Sequence, residues 1–242
     1  MTPNGAREIV ERYVADLTRA LEAIDPLAIE RVIATLDRAR KRRARIFVIG
    51  NGGSAATAAH LCTDMGVGLR RRGHPGFDVQ CLSDNAAITT AVANDISYEE
   101  VFSAQLEGVI TRDDVLMAFS ASGDSPNIVR AVACAKRARA EVIGISGFDG
   151  GALRRAADVS IHVASPPGAY GLVEDMHLIF NHILTTCCMA EIARSDAQSA
   201  NTSRPDSERR VQAEPGGWVR LGNRKRDEDP EPPPVSWDAP NT

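Results

Sequence analysis

The sequence lacks the features that would assign it to a membrane or secreted class. No apolar run approaches the roughly 18 residues that a membrane-spanning helix needs. The N-terminus, Met-Thr-Pro-Asn-Gly-Ala-Arg-Glu, has no apolar leader. The five cysteines follow no metal-ligand spacing, and Cys62, Cys81 and Cys134 lie within apolar runs. We therefore expect a reduced, cytoplasmic protein with no membrane partner.

An excess of positive charge is also missing. The chain has 28 Lys and Arg residues against 32 Asp and Glu, which gives a net charge of −4 and argues against direct binding to nucleic acid. Apolar residues make up 43% of the 242 positions, enough for the core of a globular protein. A chain of this length can hold one sizeable α/β domain with appendages.

Composition changes near residue 195, beyond which Ser, Asp, Arg, Pro and Glu dominate. Such a segment buries too little apolar surface to offset its ordering entropy, so 195–242 is predicted to be a disordered tail. The alternative is a partner-binding tail that uses its two tryptophans, Trp218 and Trp237.

Residues 6–43 have the apolar spacing of two helices. Apolar side chains recur every three or four positions from Ile9 to Ile24, and Asp25-Pro26 then interrupts the pattern. Proline suits the first turn of a helix, so a second helix is expected from Pro26. The apolar stripes of this pair must pack on the rest of the domain or on another subunit.

Beyond residue 44, strand patterns and helix patterns alternate, which predicts a parallel sheet covered by helices on both faces. The strand patterns span 45–49, 78–82, 115–119, 141–145 and 159–163. The helix patterns span 54–66, 86–93, 98–110, 126–138, 151–157 and 172–193.

Two loops have the composition of a phosphate site. Gly-Asn-Gly-Gly-Ser at 50–54 follows a strand pattern and opens a helix, whose N-terminus presents free N–H groups to an anion. Ser-Ala-Ser-Gly-Asp-Ser at 120–125 stands in the same relation to a strand and to a helix that begins at Pro126. Because parallel strands end at one sheet edge, both loops are predicted to face one ligand. The second loop has no Lys or Arg, so hydroxyls and amides would hold the phosphate.

Each loop has a second interpretation. Residues 50–55 fit the dinucleotide fingerprint G-x-G-x-x-A, but the acidic residue that should end the second strand is misplaced, since Asp78 opens that strand pattern and Asp84 lies past its end. The Ser-rich loop can be a turn in which Ser125 caps the following helix. Two such loops at one sheet edge favour the phosphate site.

The motifs together resemble the sugar isomerase (SIS) domain family, and within it the phosphoheptose isomerases. The glycine loop is followed by His60, then by Ala-Asn-Asp at 93–95, and then by the Ser-rich loop with Pro-Asn. The resemblance covers about residues 5 to 193. It implies a three-layer α/β/α sandwich with a five-stranded parallel sheet, N-terminal helices at 1–44 that serve oligomerisation, and a phosphosugar-binding domain at 45–194. It also implies a homo-oligomer, usually a tetramer.

Site residues follow from the same resemblance. The substrate would be a phosphorylated sugar, sedoheptulose 7-phosphate, isomerised between ketose and aldose through an enediol. Asp64 and His182 would be the acid–base pair, and Zn²⁺ would be held by His60, Asp64, Glu174 and His182. The substrate-binding positions would be Asn51, Gly52, Gly53, Ser54, Asn94, Asp95, Ser120, Ala121, Ser122, Ser125 and Glu174.

Helical spacing supports part of this set. His60 and Asp64 are four residues apart on one helix, and Glu174 and His182 lie within about 80° of each other on another. Two imidazoles and two carboxylates suit Zn²⁺. The structural alternative is a core histidine at 182 with Glu174 as a helix N-terminal charge. Asp175 and His177 are expected at the surface or behind the site.

The sequence departs from the family at two positions. Asp64 stands where the family has glutamate, and misplacing a base by about 1 Å can cost roughly 100-fold in rate. Glu174 stands where the family has glutamine, and this second carboxylate would compensate by binding metal or acting as the base. The alternative is that the two changes mark a different phosphosugar substrate. The alternative function is a non-catalytic phosphosugar sensor, or a tetrameric scaffold of the kind associated with a replication initiator. Four converging polar groups favour the enzyme.

Overall fold

The chain begins with two helices, α1 (Pro3–Glu22) and α2 (Pro26–Lys41). The computed structural model describes residues 3–202, with side chains from 5 to 195. Asp25 ends the connection between the two helices, because its carboxylate accepts a hydrogen bond of 2.9 Å from the Leu27 N–H and so caps α2. Pro26 is the first residue of α2, as the sequence predicts.

Five strands and seven further α-helices follow in alternation within the described part of the chain. The strands are β1 (Arg45–Ile49), β2 (Asp78–Cys81), β3 (Val115–Ser120), β4 (Glu141–Ser146) and β5 (Val159–His162). The helices are α3 (Gly53–Thr63), α4 (Leu69–Arg71), α5 (Ala86–Asp95), α6 (Ser103–Leu106), α7 (Pro126–Arg137), α8 (Gly151–Ala156) and α9 (Tyr170–Thr202). A π-helical turn, Asp64–Gly68, joins α3 to α4.

The strands form one parallel sheet in the order β2-β1-β3-β4-β5. The chain moves outward from β1 to β2 and then crosses back to β3 on the other side of β1. The strand order therefore reverses between β1 and β3, and ligands of such sheets bind at the carboxyl ends of the strands beside this switch point. The loops that follow β1 and β3 are the two predicted phosphate loops.

The sheet separates two hydrophobic cores. Alternate residues of β1, such as Ile46 and Val48, face a core that includes side chains of α2, α3 and α9. The intervening residues Phe47 and Ile49 face a second core that includes side chains of α6, α7 and α8. This three-layer α/β/α arrangement confirms the predicted fold class, and the burial of both sheet faces explains why the strands are apolar at consecutive positions.

The structure differs most from the predicted elements at three helix patterns, and most other bounds shift by one or two residues. The pattern at 98–110 is a 3₁₀ turn at Tyr98–Glu100 followed by the short α6, because Gly108 adopts a positive φ of 73° soon after. The pattern at 54–66 passes into the π-helical turn at Asp64. Helix α9 continues past residue 194 to Thr202, since no proline follows Tyr170 before Pro205.

The remainder of the predicted tail, with Trp218 and Trp237, lies outside the described residues. Among residues 3–202, no helix combines the length and the apolar character that crossing a membrane requires.

Candidate active site

The glycine loop turns the chain from β1 into α3. Gly52 has a φ of +55°, a conformation that an L side chain rarely adopts, and it allows the sharp turn. The hydroxyl of Ser83, just after β2, donates to the Gly50 carbonyl over 2.8 Å and accepts from the Gly50 N–H over 3.3 Å. Ser54 is buried in the first turn of α3. The loop is thus fixed, with the helix N-terminus at the sheet edge.

The serine loop has the same relation to β3 and α7. Ser120 Oγ accepts a hydrogen bond of 3.1 Å from the Gly123 N–H, and Ser122 Oγ accepts one of 3.3 Å from the Asp124 N–H. Ser125 occupies the N-cap position of α7 without a side-chain capping hydrogen bond. The structure therefore does not support the interpretation of Ser125 as a capping residue.

An amide pair joins the two loops. Asn51 Nδ2 donates to Asn127 Oδ1 and Asn127 Nδ2 donates to Asn51 Oδ1, each over 2.9 Å. Tyr98 OH donates to the same Asn51 oxygen over 3.2 Å. The roles of Asn127 and Tyr98 were not predicted from the sequence. Asn127 lies in the Pro-Asn pair directly after the serine loop, and this position was the available signal.

Three of the four predicted metal-binding side chains converge. His60 Nε2 lies 3.2 Å from Asp64 Oδ2 and 3.4 Å from His182 Nε2. One nitrogen and one oxygen ligand atom from α3 and the π-helical turn thus meet a nitrogen from α9, all within 4.8 Å of one another. His60 and His182 are exposed and Asp64 is half-buried, so the group is open to solvent on one side.

The π-helical turn and Asn181 together set the position of Asp64. Leu69 N–H bonds to the Asp64 carbonyl, five residues back, so the helix widens where this side chain leaves it. Asn181 Nδ2 donates to Asp64 Oδ2 over 3.2 Å from the buried face of α9. Asn181 was missed in the sequence, although it directly precedes His182.

Glu174, the fourth predicted ligand, lies outside this three-residue group. Its carboxylate packs against Gly53, where an added Cβ would lie 2.3 Å from Glu174 Cδ. Only glycine at position 53 leaves space for the Glu174 carboxylate. The glycine loop and α9 are therefore in contact through Gly53 and Glu174.

Other side chains singled out in the sequence lie outside the His60–Asp64–His182 group. Asn94 donates to Asp95 over 2.8 Å, and both are exposed at the end of α5, with no hydrogen bond to either loop among the described side chains. Asp175 accepts a hydrogen bond of 2.6 Å from Tyr13 OH of α1. The expectation of a surface position for His177 is wrong, because its side chain is fully buried beside Phe119, and burial lowers its pKa to about 4.

The three-residue group fits Zn²⁺. Two imidazole nitrogens and a carboxylate oxygen are ligands that zinc prefers, and catalytic zinc sites have three protein ligands with one open position. Two of the three separations, 3.2 and 3.4 Å, are close to the edge of about 3.3 Å expected between ligands of a tetrahedral site with bonds of roughly 2.0–2.1 Å, and the third is within 4.8 Å.

Comparison with known proteins decides the family. The model of the SIS domain matches residues 11–147. The chain belongs to the SIS domain family. A phosphoheptose isomerase of Akkermansia muciniphila is 33% identical over 187 residues, which cover 76% of this chain and 97% of that protein. One of Mycobacterium bovis is 35% identical over 187 residues, covering 76% and 93%.

A solved structure has the same fold and a related sequence. The phosphoheptose isomerase of Neisseria gonorrhoeae superposes with a TM-score of 0.69 at 27% identity, covering 76% of this chain and 99% of that one. The predicted family, the fold class and the enzyme class, a sugar-phosphate isomerase, are therefore confirmed.

Proposed function

We propose that this SIS-domain isomerase interconverts sedoheptulose 7-phosphate and a glycero-manno-heptose 7-phosphate. The observation that carries the proposal is the convergence of His60, Asp64 and His182 on the helices that border the two loops. Helix α3 begins in the glycine loop and carries His60 two turns later. The names of the relatives support the heptose phosphate as substrate.

Binding of the phosphate orients the sugar. The N–H groups at the starts of α3 and α7, with the hydroxyls of Ser54, Ser120, Ser122 and Ser125, would hold the dianion. Asn51, which is fixed by Asn127, and Asp95 would contact the sugar hydroxyls. Anchoring the phosphate remotely holds the reacting carbons against the base, an effect that can supply several kcal/mol, up to about 7–11.

Proton transfer would then proceed through an enediol. The base removes a proton from carbon 1 of the ketose, and the proton is returned to carbon 2 while a hydroxyl proton moves between the two oxygens. We assign carbon deprotonation to Asp64 and hydroxyl proton transfer to His182. His60 Nε2 lies 3.2 Å from Asp64 Oδ2 and 3.4 Å from His182 Nε2, so the three side chains converge at one place.

Zn²⁺ would be held by His60, Asp64 and His182, with Glu174 as the proposed fourth protein group. When bound, it supplies polarisation of the substrate carbonyl and stabilises negative charge on the enediolate. Glu174 lies against the glycine loop, so we also propose that it contacts the substrate there.

We further propose that α1 mediates a homo-oligomer, a tetramer by analogy with the family. Its apolar stripe is open to solvent in the single chain, with Val10 60% and Val14 57% exposed. Val10→Glu with Val14→Glu is expected to lower the molar mass measured by light scattering. An unchanged mass would contradict the role of α1.

The reaction is tested in D₂O by proton NMR of sedoheptulose 7-phosphate with the purified full chain. We expect an aldose phosphate with deuterium at carbon 2, and a fall in kcat of about 100-fold or more for Asp64→Asn and His182→Gln. His74→Gln, a histidine outside the group, is the control. A wild-type protein that forms no product, while phosphosugars raise its melting temperature, would contradict the proposal in favour of a sensor. Neither product nor protection would favour a scaffold.

A further inference from the structure

Asn181 is a buried polar side chain that the reaction scheme does not use. It lies on α9 with no exposed surface, and its Nδ2 donates to Asp64 Oδ2 over 3.2 Å. Its Oδ1 has no hydrogen-bond partner among the described residues. An unpaired buried oxygen costs folding free energy, and a leucine of similar size would avoid that cost. The amide is therefore poorly explained by stability alone.

The neighbours of Asn181 on the helix provide an internal comparison. His177, Asn181 and Thr185 are spaced four residues apart on one buried face of α9. All three have polar atoms without partners in the described part of the chain. Of the three, Asn181 alone hydrogen-bonds to a member of the His60–Asp64–His182 group.

The hydrogen bond from Asn181 is made to the Asp64 oxygen that also lies beside His60. Asp64 Oδ2 lies 3.2 Å from His60 Nε2 and accepts a hydrogen bond of 3.2 Å from Asn181 Nδ2, so side chains of two different helices contact the same oxygen. An aspartate leaving the π-helical turn would otherwise rotate about its χ angles. The amide hydrogen bond selects one orientation of the carboxylate.

We propose that Asn181 is a positioning residue, whose amide holds the Asp64 carboxylate in the orientation that serves catalysis and metal binding. The inference rests on the proposed function of Asp64. Hydrogen-bond partners behind a ligating carboxylate typically contribute 10- to 100-fold to metal affinity or activity. The same range is expected here.

The test compares Asn181→Leu with Thr185→Val as the matched control. Both substitutions remove a buried polar group with an unpaired atom from the same helix face, but only the first removes a contact to Asp64. For each protein we would measure urea unfolding, the Kd for Zn²⁺ by competition with a chromophoric chelator, and kcat and KM. Should leucine not be accommodated, Asn181→Ala removes the same donor.

Asn181→Leu is expected to unfold at the same or a higher urea concentration than wild type, to bind Zn²⁺ 10- to 100-fold more weakly, and to lose kcat by a similar factor with KM within about threefold. Thr185→Val is expected to keep wild-type Kd and kcat. Wild-type Kd and kcat in Asn181→Leu would overturn the inference, as would equal functional losses in both variants.

Failure of the proposed function is recognised separately. If the wild type binds Zn²⁺ without turning over the heptose phosphate, the substrate assignment falls, and the ratio of Zn²⁺ Kd values still decides the role of Asn181. A wild-type protein that neither binds Zn²⁺ nor converts the heptose phosphate would contradict both the proposed function and the proposed role of Asn181.

Discussion

Asn51 and Asn127 exchange two side-chain hydrogen bonds of 2.9 Å and so tie the loop after β1 to the first turn of α7. The pair spans the position where the strand order reverses. Because a phosphate held by both loops requires a fixed distance between them, this pair is expected to preorganise the substrate site before the sugar arrives.

Asn127→Leu is therefore expected to weaken substrate binding. The Asn51 amide loses its partner, at a cost of about 1–3 kcal/mol, and we expect KM to rise about tenfold with a smaller change in kcat. Tyr98→Phe removes a hydroxyl from the same Asn51 oxygen but keeps the amide pair, and a smaller effect is expected. Steady-state kinetics with the heptose phosphate would measure KM and kcat for both variants. Equal effects of the two variants would argue against the pair.

Gly53→Ala is expected to destabilise the protein through Glu174. The new Cβ would lie 2.3 Å from Glu174 Cδ, and such overpacking costs about 1–3 kcal/mol. In a Glu174→Ala background the same change is expected to be neutral or stabilising, since alanine favours the helix that begins at Gly53. Urea unfolding of the four proteins gives the coupling energy. Additive effects would contradict the contact.

Stability should fall in acid because of His177. Burial lowers the pKa of this imidazole to about 4, below its ordinary value of 6.5, so the unfolded chain takes up the proton first. The contribution to stability is complete above about pH 6.5 and is lost as the pH falls towards 4, with a slope of at most about 1.4 kcal/mol per pH unit. His177→Leu should lower the steepness of this loss in urea titrations at pH 7, 6 and 5. Parallel curves for the two proteins would rule out His177 as the cause.

Tyr13 should show the opposite pH dependence, at the alkaline end. The hydrogen bond to Asp175, then burial and the negative charges nearby, raise the pKa of its phenol to about 12. A raised pKa stabilises the fold below about pH 10, and this contribution disappears between about 10 and 12. Ultraviolet titration of the three tyrosines should lose its highest-pH step in Tyr13→Phe. A step that persists in this variant would assign it to another tyrosine.

The fold was predictable because its determinants are local. Apolar runs such as Ile46–Ile49, followed by glycine or serine loops, specify strands that end at one edge, and the structure forms all five strands close to their predicted bounds. The phosphate loops were predictable for the same reason, since each loop is contiguous in sequence. The short helix near Ser103 was not, because the pattern at 98–110 continues through the point where Gly108 turns the chain with a positive φ.

Contacts between segments that are distant in the chain could not be predicted from the sequence. Asn181 and Asp64 are 117 positions apart, and their hydrogen bond depends on how α9 crosses the π-helical turn. That turn has no sequence signature that separates it from the preceding helix. The surface alternative for His177 failed for the same reason, because the sequence does not show that α9 places this imidazole in the core beside Phe119.

The most direct test of the account is turnover of sedoheptulose 7-phosphate by the purified chain after chelation, with and without added Zn²⁺. The proposed mechanism predicts an aldoheptose 7-phosphate, formed slowly after chelation and at full rate once Zn²⁺ is restored to His60, Asp64 and His182. Absence of this product in both conditions would contradict it.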